Sequence, residues 1–571
     1  MSESPTAIPE KASPSPLARI GWGVLIVATL YVCYFSHLGA LGFVGPDEPR
    51  YAWIARDMTE TGDWVTPRLY GNPWFEKPPL YYWGAALCFK VFGVSEAAAR
   101  LPCAISALLA TLALAWLAWR LYGTETARCV LLLLPTTVGM IGFSHAAATD
   151  MPFSGMLTIA MVCAAVVLRL APCEEGGASP VPTSTSTPRL ALILLGFFLG
   201  LAVLAKGPAG VILCGGAVFF WAILTKRWRD AFRLLRPAAI AAFCLTALPW
   251  YILCARRNPD FFRIFIIEHN FKRFLTPEFQ HFQPFWFYGL VLLIALLPWT
   301  SLLVWSCATK LTAAFRGKRI SASTTYFAAW AIFCITFFSI SQSKLPGYIL
   351  PSIPAMCAVM SHSYVDLAAA YRRSYRIVAI STAFIFLSLC LVLAVFARHS
   401  HHGSPGFAGA AGIVIGLIGG ANLILGFFPS KKEQGEVGGL ATGICVLPVL
   451  LALLLINRLL PAFFYWDPSG RTIACELQLR GIPSENVYVI AMNRGQLYSL
   501  NFYLHQELSG WDPGHPTEGY LLAATKNCKY GIPPTWECKE LPFDLQATGR
   551  FLFRVSRPNS VAGAAGSGQP K

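Results

Sequence analysis

Long apolar stretches recur along this chain and constrain its fold more than any other feature. About thirteen of them come close to or exceed the roughly 20 residues that an α-helix needs to cross a bilayer. They lie at 20–44, 101–119, 129–147, 151–168, 190–205, 209–225, 238–254, 286–307, 326–341, 348–365, 377–397, 407–428 and 438–456. Since 55% of the 571 residues are hydrophobic and only 13% are charged, one water-soluble core cannot account for this composition. We predict an α-helical polytopic membrane protein.

Lys and Arg concentrate in alternate loops between these stretches, and such loops remain on the cytoplasmic side of a membrane. This pattern places the N-terminus, with Lys11 and Arg19, in the cytoplasm. An odd number of crossings then places the C-terminus outside. The net charge of +16 follows from these loops, so we expect membrane lipids and no nucleic acid as partners. The first apolar stretch is too long for a signal peptide and is predicted to be an uncleaved anchor.

Composition divides the chain into four parts. We predict a disordered cytoplasmic N-terminus (1–19), a transmembrane domain (20–457) with a long first outer loop (45–100), an exported α/β domain (464–556) and a disordered tail (557–571). In the exported domain, "NVYVIAMN" and "RFLFRV" are typical of strands. An oxidising compartment allows a disulfide there, and Cys528 with Cys538 is the first pair to test. The alternative is that these two and Cys475 are reduced thiols.

The first outer loop begins with "GPDEPRYAWIARDMTETGDW". Its apolar residues recur at helical spacing and predict a short amphipathic helix in the membrane interface: Tyr51, Ile54, Ala55 and Met58. Asp47 stands two residues before Pro49, where a carboxylate can cap a helix N-terminus. On spacing alone, the capping role and a catalytic role for Asp47 remain open.

Charged residues gather in the outer loops. The acids are Asp47, Glu48 and Asp150, and the bases are Lys77, Lys272, Arg273 and Lys344. Asp150 has a capping alternative of its own, ahead of Pro152. Cations of this kind suit a phosphate, and a carboxylate among them can take a proton from an attacking group. The sequence has no Walker loop, GxSxG elbow or HExxH motif, so it predicts a membrane enzyme or transporter for an anionic, lipid-linked substrate.

Several motifs follow one another in a recognisable order: "GPDEPRYAWIARDM", "TGDWVTPRLYGNPWFEKPPLYYW", "TDMPF", "LAKGP", "EHNFKRF" and "SKLPGYILP". In this order they resemble the bacterial ArnT-like lipid A aminoarabinose transferases, which belong with the protein O-mannosyltransferases in the GT-C class. The resemblance covers most of the chain. It implies a GT-C type fold with about thirteen transmembrane helices, interfacial helices and a small periplasmic α/β domain, in a bacterial inner membrane.

The resemblance also implies an activity and residue roles. A sugar passes with inversion from a polyprenyl (undecaprenyl) phosphate donor to an acceptor at the periplasmic face, without a nucleotide cofactor. Asp47 is then the general base and Asp150 a second functional carboxylate. The expected ligands of the donor phosphate are Lys77, Arg273, Tyr348 and Lys344, and the expected cavity residues are Arg50, Tyr51, Glu48, Trp74 and Lys272. Glu76 matches a position linked to a divalent metal ion in the family, and His269 is the second expected ligand.

The acceptor remains open at this stage. Lipid A or another envelope glycolipid is the main expectation, and transfer to protein hydroxyls, as by protein O-mannosyltransferases, is an enzymatic alternative. A non-enzymatic transporter of lipid-linked sugars is a third alternative, although it predicts charges deep inside several spans, whereas here they gather at the outer face. Trp74 stands where relatives often have Tyr, which leaves the sugar unidentified. The sequence does not indicate an oligomeric state.

Overall fold

The computed structural model describes residues 16–170, 189–272, 282–317, 320–370, 469–512, 518–524, 535–543 and 549–557, with isolated residues between them. The helices in the first part are α1 (Pro16–Tyr34), α2 (Asp47–Thr61), α3 (Leu80–Phe92), α4 (Glu96–Tyr122), α5 (Thr124–Leu133), α6 (Val138–Ser144), α7 (Asp150–Val167), α8 (Arg189–Lys206), α9 (Ala209–Thr225), α10 (Trp228–Ala231), α11 (Pro237–Arg257), α12 (Phe287–Ala295), α13 (Thr300–Phe315), α14 (Ala322–Ile340) and α15 (Ile353–Ala370). Shorter helical segments are the 3-10 turns Phe232–Leu235 and Pro346–Ser352 and the π-helical segment Arg263–Lys272.

The long apolar helices confirm the predicted helical membrane fold. Among the described residues, five helices are long and apolar enough to cross a bilayer, and seven if each of two bent pairs forms one span. Helices α1, α3 and α9 are apolar but shorter. The predicted spans at 377–397, 407–428 and 438–456 lie outside the described residues, apart from isolated positions. The total number of spans therefore stays a prediction.

Three predicted spans differ from the observed helices. The first ends at Tyr34 and not near residue 44. The stretch 129–147 is divided between α5 and α6, which meet at 60°, and the stretch 286–307 is divided between α12 and α13, which meet at 117°. Pro135 and Pro298 lie at these two breaks. A proline lacks the backbone N–H of a helix and its ring clashes with the preceding turn, so apolar composition alone overestimated the length of the helices.

Small residues let the central helices approach closely. A Cβ at Gly155 in α7 would lie 2.8 Å from the backbone oxygen of Ser106 in α4, and one at Gly200 in α8 would lie 2.7 Å from Cβ of Thr246 in α11. Larger side chains would push these pairs apart. This packing buries nearly all of α7. It also places the first residue of α7 beside the last residue of α8, at one end of the bundle.

The first outer loop folds onto the same bundle. Helix α2 ends at Gly62, whose φ of +73° favours glycine and whose N–H donates to the Met58 oxygen at 3.1 Å. A short antiparallel hairpin, Arg68–Leu69 (β1) with Asn72–Pro73 (β2), separates α2 from α3. The predicted helix and its buried face are confirmed, since the stripe from Tyr51 to Met58 is buried.

The C-terminal region forms a small α/β unit. Its helices are α16 (Arg471–Leu479) and α17 (Arg494–Leu504), and its strands are β3 (Val487–Ile490), β4 (Ser509–Gly510), β5 (Glu518–Ala523), β6 (Glu537–Leu541) and β7 (Phe551–Ser556). The sheet order is β4-β3-β5-β7-β6, with β3 parallel to β4 and β5, and β7 antiparallel to β5 and β6. Both strands expected from sequence are present, as β3 and β7.

The cysteines of this unit leave the disulfide untested. Cys475 and Cys538 are exposed, and Cys528 lies outside the described residues. The proposed Cys528–Cys538 pairing therefore stays a prediction.

Candidate functional site

A chain of alternating charges begins at the first residue of α2. Asp47 forms an ion pair with Arg50, and Nη1 of Arg50 donates to Oε2 of Glu76 at 3.0 Å. The other oxygen of Glu76 lies 3.7 Å from Nζ of Lys77. Asp47 is 51% exposed, whereas Arg50 is 6% and Glu76 11% exposed. Asp47 is thus the accessible end of a largely buried charge network.

Local sequence explains how Arg50 reaches this position. Arg50 follows Asp47 by three residues on α2, and its Nε donates to the backbone oxygen of Pro46 at 2.8 Å. Its guanidinium carbon lies 5.7 Å from the ring centre of Tyr51 and 5.5 Å from that of Trp74. Burial disfavours the charge, but the Glu76 and Asp47 carboxylates outweigh it and raise the pKa of Arg50 above its ordinary value.

The structure does not support the capping alternative for Asp47. Pro46 occupies the N-cap position, Asp47 lies one residue inside the helix, and its carboxylate binds Arg50. An acid in the first helical turn still interacts favourably with the helix dipole, but the hydrogen bond goes to the arginine.

The neighbouring carboxylate has a different environment. Glu48 accepts hydrogen bonds from Nε and Nη2 of Arg100 at 2.9 Å each, from Val44 N–H at 2.9 Å and from Ala147 N–H at 2.7 Å. Arg100 is 6% and Glu48 12% exposed. Glu48 therefore connects α2 to α4 and to the loop that leads into α7. These contacts give it a structural role, and the cavity role expected from sequence stays a prediction.

A second charged group lies where α7 begins and α8 ends. Asp150 forms an ion pair with Lys206, and Nζ of Lys206 lies 4.6 Å from the ring centre of Tyr348. The 3-10 turn that carries Tyr348 packs tightly here, since a Cβ at Gly347 would lie 2.6 Å from Oδ1 of Asp150. Tyr348 also packs on Phe338, with ring centres 5.1 Å apart. The predicted residues Asp150 and Tyr348 thus share one site.

Lys206 was missed by the sequence analysis as a site residue. The signal was present in the motif "LAKGP", where a lysine ends an apolar helix. Its side chain is 10% exposed, and that of Asp150 is 22% exposed. A buried lysine requires a partner, but the partner is 56 residues away, a distance that spacing along the chain does not reveal.

Apolar contacts bring the two charged groups to the same end of the bundle. Phe75, next to Glu76, belongs to one buried cluster with Val203 and Leu204 of α8. The hydrogen bond from Ala147 N–H to Glu48 joins the first turn of α2, which carries Asp47, to the segment just before Asp150. The predicted acids Asp47 and Asp150 are therefore carried by segments that are tied together directly.

Polar atoms without partners adjoin this group. Trp74 Nε1 and Tyr82 Oη are buried and have no hydrogen-bond partner among the described residues. Trp74 contacts Arg50, and the Tyr82 ring lies 5.8 Å from that of Tyr51. Buried polar groups normally have a hydrogen-bond partner, and the described residues supply none for these two.

The remaining predicted site cations stay untested: Lys344 and Arg273 were expected as phosphate ligands, and Lys272 was expected in the cavity. Lys344 is 8% exposed, and its Nζ donates to the backbone oxygen of Ser341 at 2.7 Å. Lys272 is exposed at the end of the π-helical segment. Arg273 lies outside the described residues. The roles of these three residues stay predictions.

The predicted divalent metal ion, with Glu76 and His269 as ligands, stays a prediction. The two oxygens of Glu76 face the cations Arg50 and Lys77, which compete with a metal ion. In the part of the chain that the structure describes, no group of three or more His, Cys, Asp or Glu residues could hold one. Glu76 and His269 therefore do not make a fitting site by themselves, and no chemical step is assigned to a metal.

Comparisons with known proteins place this architecture in a family. The family model for dolichyl-phosphate-mannose-protein mannosyltransferases matches residues 22–265. The undecaprenyl phosphate-α-4-amino-4-deoxy-L-arabinose arabinosyl transferase of Edwardsiella ictaluri is 32% identical over 390 residues, which cover 68% of this chain and 67% of that relative. The chain belongs to this family of arabinosyl transferases. It is a multi-pass membrane glycosyltransferase of the GT-C type.

Further matches agree in sequence and in fold. The corresponding Pseudomonas aeruginosa transferase is 32% identical over 349 residues, covering 61% of this chain and 60% of that relative. The crystal structure of ArnT from Cupriavidus metallidurans bound to undecaprenyl phosphate has a TM-score of 0.76 at 24% identity, and the match covers 95% of this chain and 99% of that one. The predicted family and fold class are confirmed.

Proposed function

We propose that the chain is an inverting glycosyltransferase that moves a sugar from a polyprenyl phosphate donor to lipid A or another envelope glycolipid. Its relatives are undecaprenyl phosphate-aminoarabinose arabinosyl transferases, which supports this donor class. The observation that supports the reaction most is the exposed Asp47 carboxylate, held by the buried Arg50.

In the proposed reaction, an acceptor oxygen attacks the anomeric carbon from the face opposite the donor phosphate. The new carbon–oxygen bond forms as the bond to the phosphate oxygen breaks, and the leaving electron pair remains on the polyprenyl phosphate. Asp47 takes the proton from the attacking O–H group. Arg50 holds Asp47 in place, because its guanidinium is itself fixed by Glu76 and by the Pro46 oxygen. Catalysis then comes from positioning the acceptor against the donor and from stabilising the negative charge on the leaving phosphate.

Two lysines can meet the negative charge that develops on the phosphate. Lys77 is 14% exposed, and its Nζ lies 3.7 Å from Oε1 of Glu76. Lys206 is fixed by Asp150 and lies over the Tyr348 ring. In this proposal Lys77 binds the leaving phosphate, and Asp150 acts by orienting Lys206.

We place the site at the periplasmic face of a bacterial inner membrane, with the N-terminus in the cytoplasm and the C-terminal unit in the periplasm. The alternation of basic loops supports this orientation. The contacts of the C-terminal unit with α2 are consistent with it, since they put both on one side of the membrane.

Transfer of a hexose to protein hydroxyls is the second candidate, because the mannosyltransferase model matches residues 22–265. Mass spectrometry of lipid A and of glycoproteins from a deletion strain distinguishes the two. The main proposal predicts that one lipid A species, or another glycolipid, loses a sugar, and that the wild-type gene restores it. Loss of sugar from proteins alone would overturn the proposed acceptor.

A matched pair of variants connects this assay to the site. Asp260 precedes Arg263 by three residues, as Asp47 precedes Arg50, but it is 67% exposed and its partner is 60% exposed. Asp260→Asn should restore the modification in the deletion strain and Asp47→Asn should not.

A further inference from the structure

The C-terminal unit packs directly on the helix that carries Asp47. Nη1 of Arg56 in α2 donates to the Phe502 oxygen at 3.4 Å, and Nε2 of His505 lies 3.0 Å from Oε2 of Glu60. Nδ2 of Asn501 donates to Oη of Tyr70 at 3.0 Å. Helix α17 therefore lies along α2 and the hairpin that follows it.

The first turn of α17 reaches the beginning of α2. A Cβ at Gly495 would lie 2.9 Å from the carbonyl carbon of Gly45, two residues before Asp47. A larger residue at 495 would have to push α17 away from this segment, so the close approach depends on the glycine. It brings Tyr498, one turn further along α17, to the charge network of α2.

Tyr498 completes an aromatic enclosure around Arg50. The guanidinium carbon of Arg50 lies 5.6 Å from the Tyr498 ring centre, which matches its distances from the rings of Tyr51 and Trp74. Contacts of this length are attractive for a cation and gain strength when the cation is desolvated. Tyr51 and Trp74 come from the first outer loop, but Tyr498 comes from a different folding unit, more than 440 residues along the chain.

We propose that Tyr498 is a positioning residue of the transfer site, through which the C-terminal unit holds Arg50 between Asp47 and Glu76. This inference rests on the proposed function for its catalytic consequence, although the contact itself does not. The aromatic ring of Tyr498, and not its hydroxyl, makes the contact with Arg50. The hydroxyl faces a different residue, since it accepts a hydrogen bond from Nε of Arg494 at 3.1 Å.

The chain offers a control on the same helix. Tyr503 also connects α17 to the rest of the protein, because its hydroxyl donates to Oε1 of Glu96 at 2.7 Å and accepts from Phe43 N–H at 3.0 Å. Its contacts do not include Arg50. Tyr503→Phe therefore removes hydrogen bonds that hold α17 in place but keeps the ring next to Arg50. Tyr498→Leu removes that ring but keeps the hydrogen bonds of Tyr503.

The test compares Tyr498→Leu, Tyr498→Phe and Tyr503→Phe in purified full-length protein, assayed with an undecaprenyl phosphate-linked sugar and lipid A. We expect Tyr498→Leu to lower kcat about tenfold with little change in the donor KM. Tyr498→Phe should retain wild-type kcat, and so should Tyr503→Phe. The proposal is overturned if Tyr498→Leu keeps wild-type kcat, if Tyr498→Phe is equally impaired, or if Tyr503→Phe reproduces the loss.

A second readout does not require activity. Amide hydrogen exchange of the segment 45–53 should be faster in Tyr498→Leu than in wild type, and unchanged in Tyr498→Phe. If the wild-type protein transfers no sugar, the proposed function fails, and the exchange data still decide whether Tyr498 holds this segment. Unchanged exchange in Tyr498→Leu would overturn the positioning role.

Discussion

Neutralising the adjacent carboxylates Asp47 and Glu48 should change the stability of the protein by very different amounts. Glu48 and Arg100 are both largely buried, and Arg100 makes two hydrogen bonds to the Glu48 carboxylate. Removing the charge of Glu48 leaves a buried guanidinium without its counter-charge, which costs about 3–5 kcal/mol in comparable pairs. Gln also places an amide N–H₂ group next to the N–H groups of Arg100, Val44 or Ala147. We therefore expect Glu48→Gln to destabilise the protein by about 3 kcal/mol or more.

Neutralising Asp47 should have little effect on stability. Its carboxylate is half-exposed, and an exposed ion pair contributes only about 0–1 kcal/mol. The matched control for the Glu→Gln change is Glu125→Gln, because Glu125 is 51% exposed and pairs with Arg128 at 2.7 Å within one helix. Glu125→Gln and Asp47→Asn should both unfold at temperatures close to that of the wild type.

These differences in stability can be measured as apparent Tm values. Samples in detergent are heated to a series of temperatures, and size-exclusion chromatography measures the fraction that remains folded. A loss of this size should lower the apparent Tm of Glu48→Gln by several degrees, since about 2–4 °C correspond to each kcal/mol in domains of 150–250 residues. Equal Tm values for Glu48→Gln and Glu125→Gln would show that the Glu48–Arg100 pair does not stabilise the fold as described, and so would a larger decrease of Tm in Asp47→Asn than in Glu48→Gln.

Three further predictions follow from the charged groups. Lys206→Gln should lower kcat by about 10²-fold or more while the donor still binds, because it removes the cation that Asp150 holds; unchanged kinetics would contradict that role. Lys77→Ala should raise the donor KM and lower kcat, measured by steady-state kinetics, because it removes the charge opposite the leaving phosphate; unchanged donor kinetics would contradict that assignment. Burial raises the pKa of Asp57, so the folded protein binds this proton more tightly than the unfolded chain, and stability is lost as pH rises through the raised pKa. The Tm advantage of Asp57→Asn over wild type should therefore grow from acidic to neutral pH, and a constant Tm difference would exclude this effect.

Local patterns predicted local structure well. The apolar stripe of α2 and the strands β3 and β7 are present where periodicity predicted them. The spacing of apolar residues within a short segment determines which of its faces is buried, so this information is local. Span lengths were less reliable at Pro135 and Pro298, where apolar composition continues although a proline interrupts the helix.

The partners of the charged residues could not be predicted from spacing. The sequence does not show which cations pair with Asp47 and Glu48. Asp47 pairs with Arg50, one turn away on α2, whereas Glu48 pairs with Arg100 of α4. Lys206 reaches Asp150 through the packing of α7 on α8. Tyr498 contacts Arg50 because the C-terminal unit packs on α2. These contacts depend on tertiary structure, which periodicity does not encode.

The rate of sugar transfer by purified Asp47→Asn shows whether Asp47 is the general base. The assay uses an undecaprenyl phosphate-linked sugar and lipid A, with Asp260→Asn as the matched control and apparent Tm as the check on folding. We expect the transfer rate of Asp47→Asn to fall by at least about 10²-fold at a wild-type Tm, while Asp260→Asn keeps the wild-type rate. A wild-type rate in Asp47→Asn would contradict the assignment of Asp47 as the base.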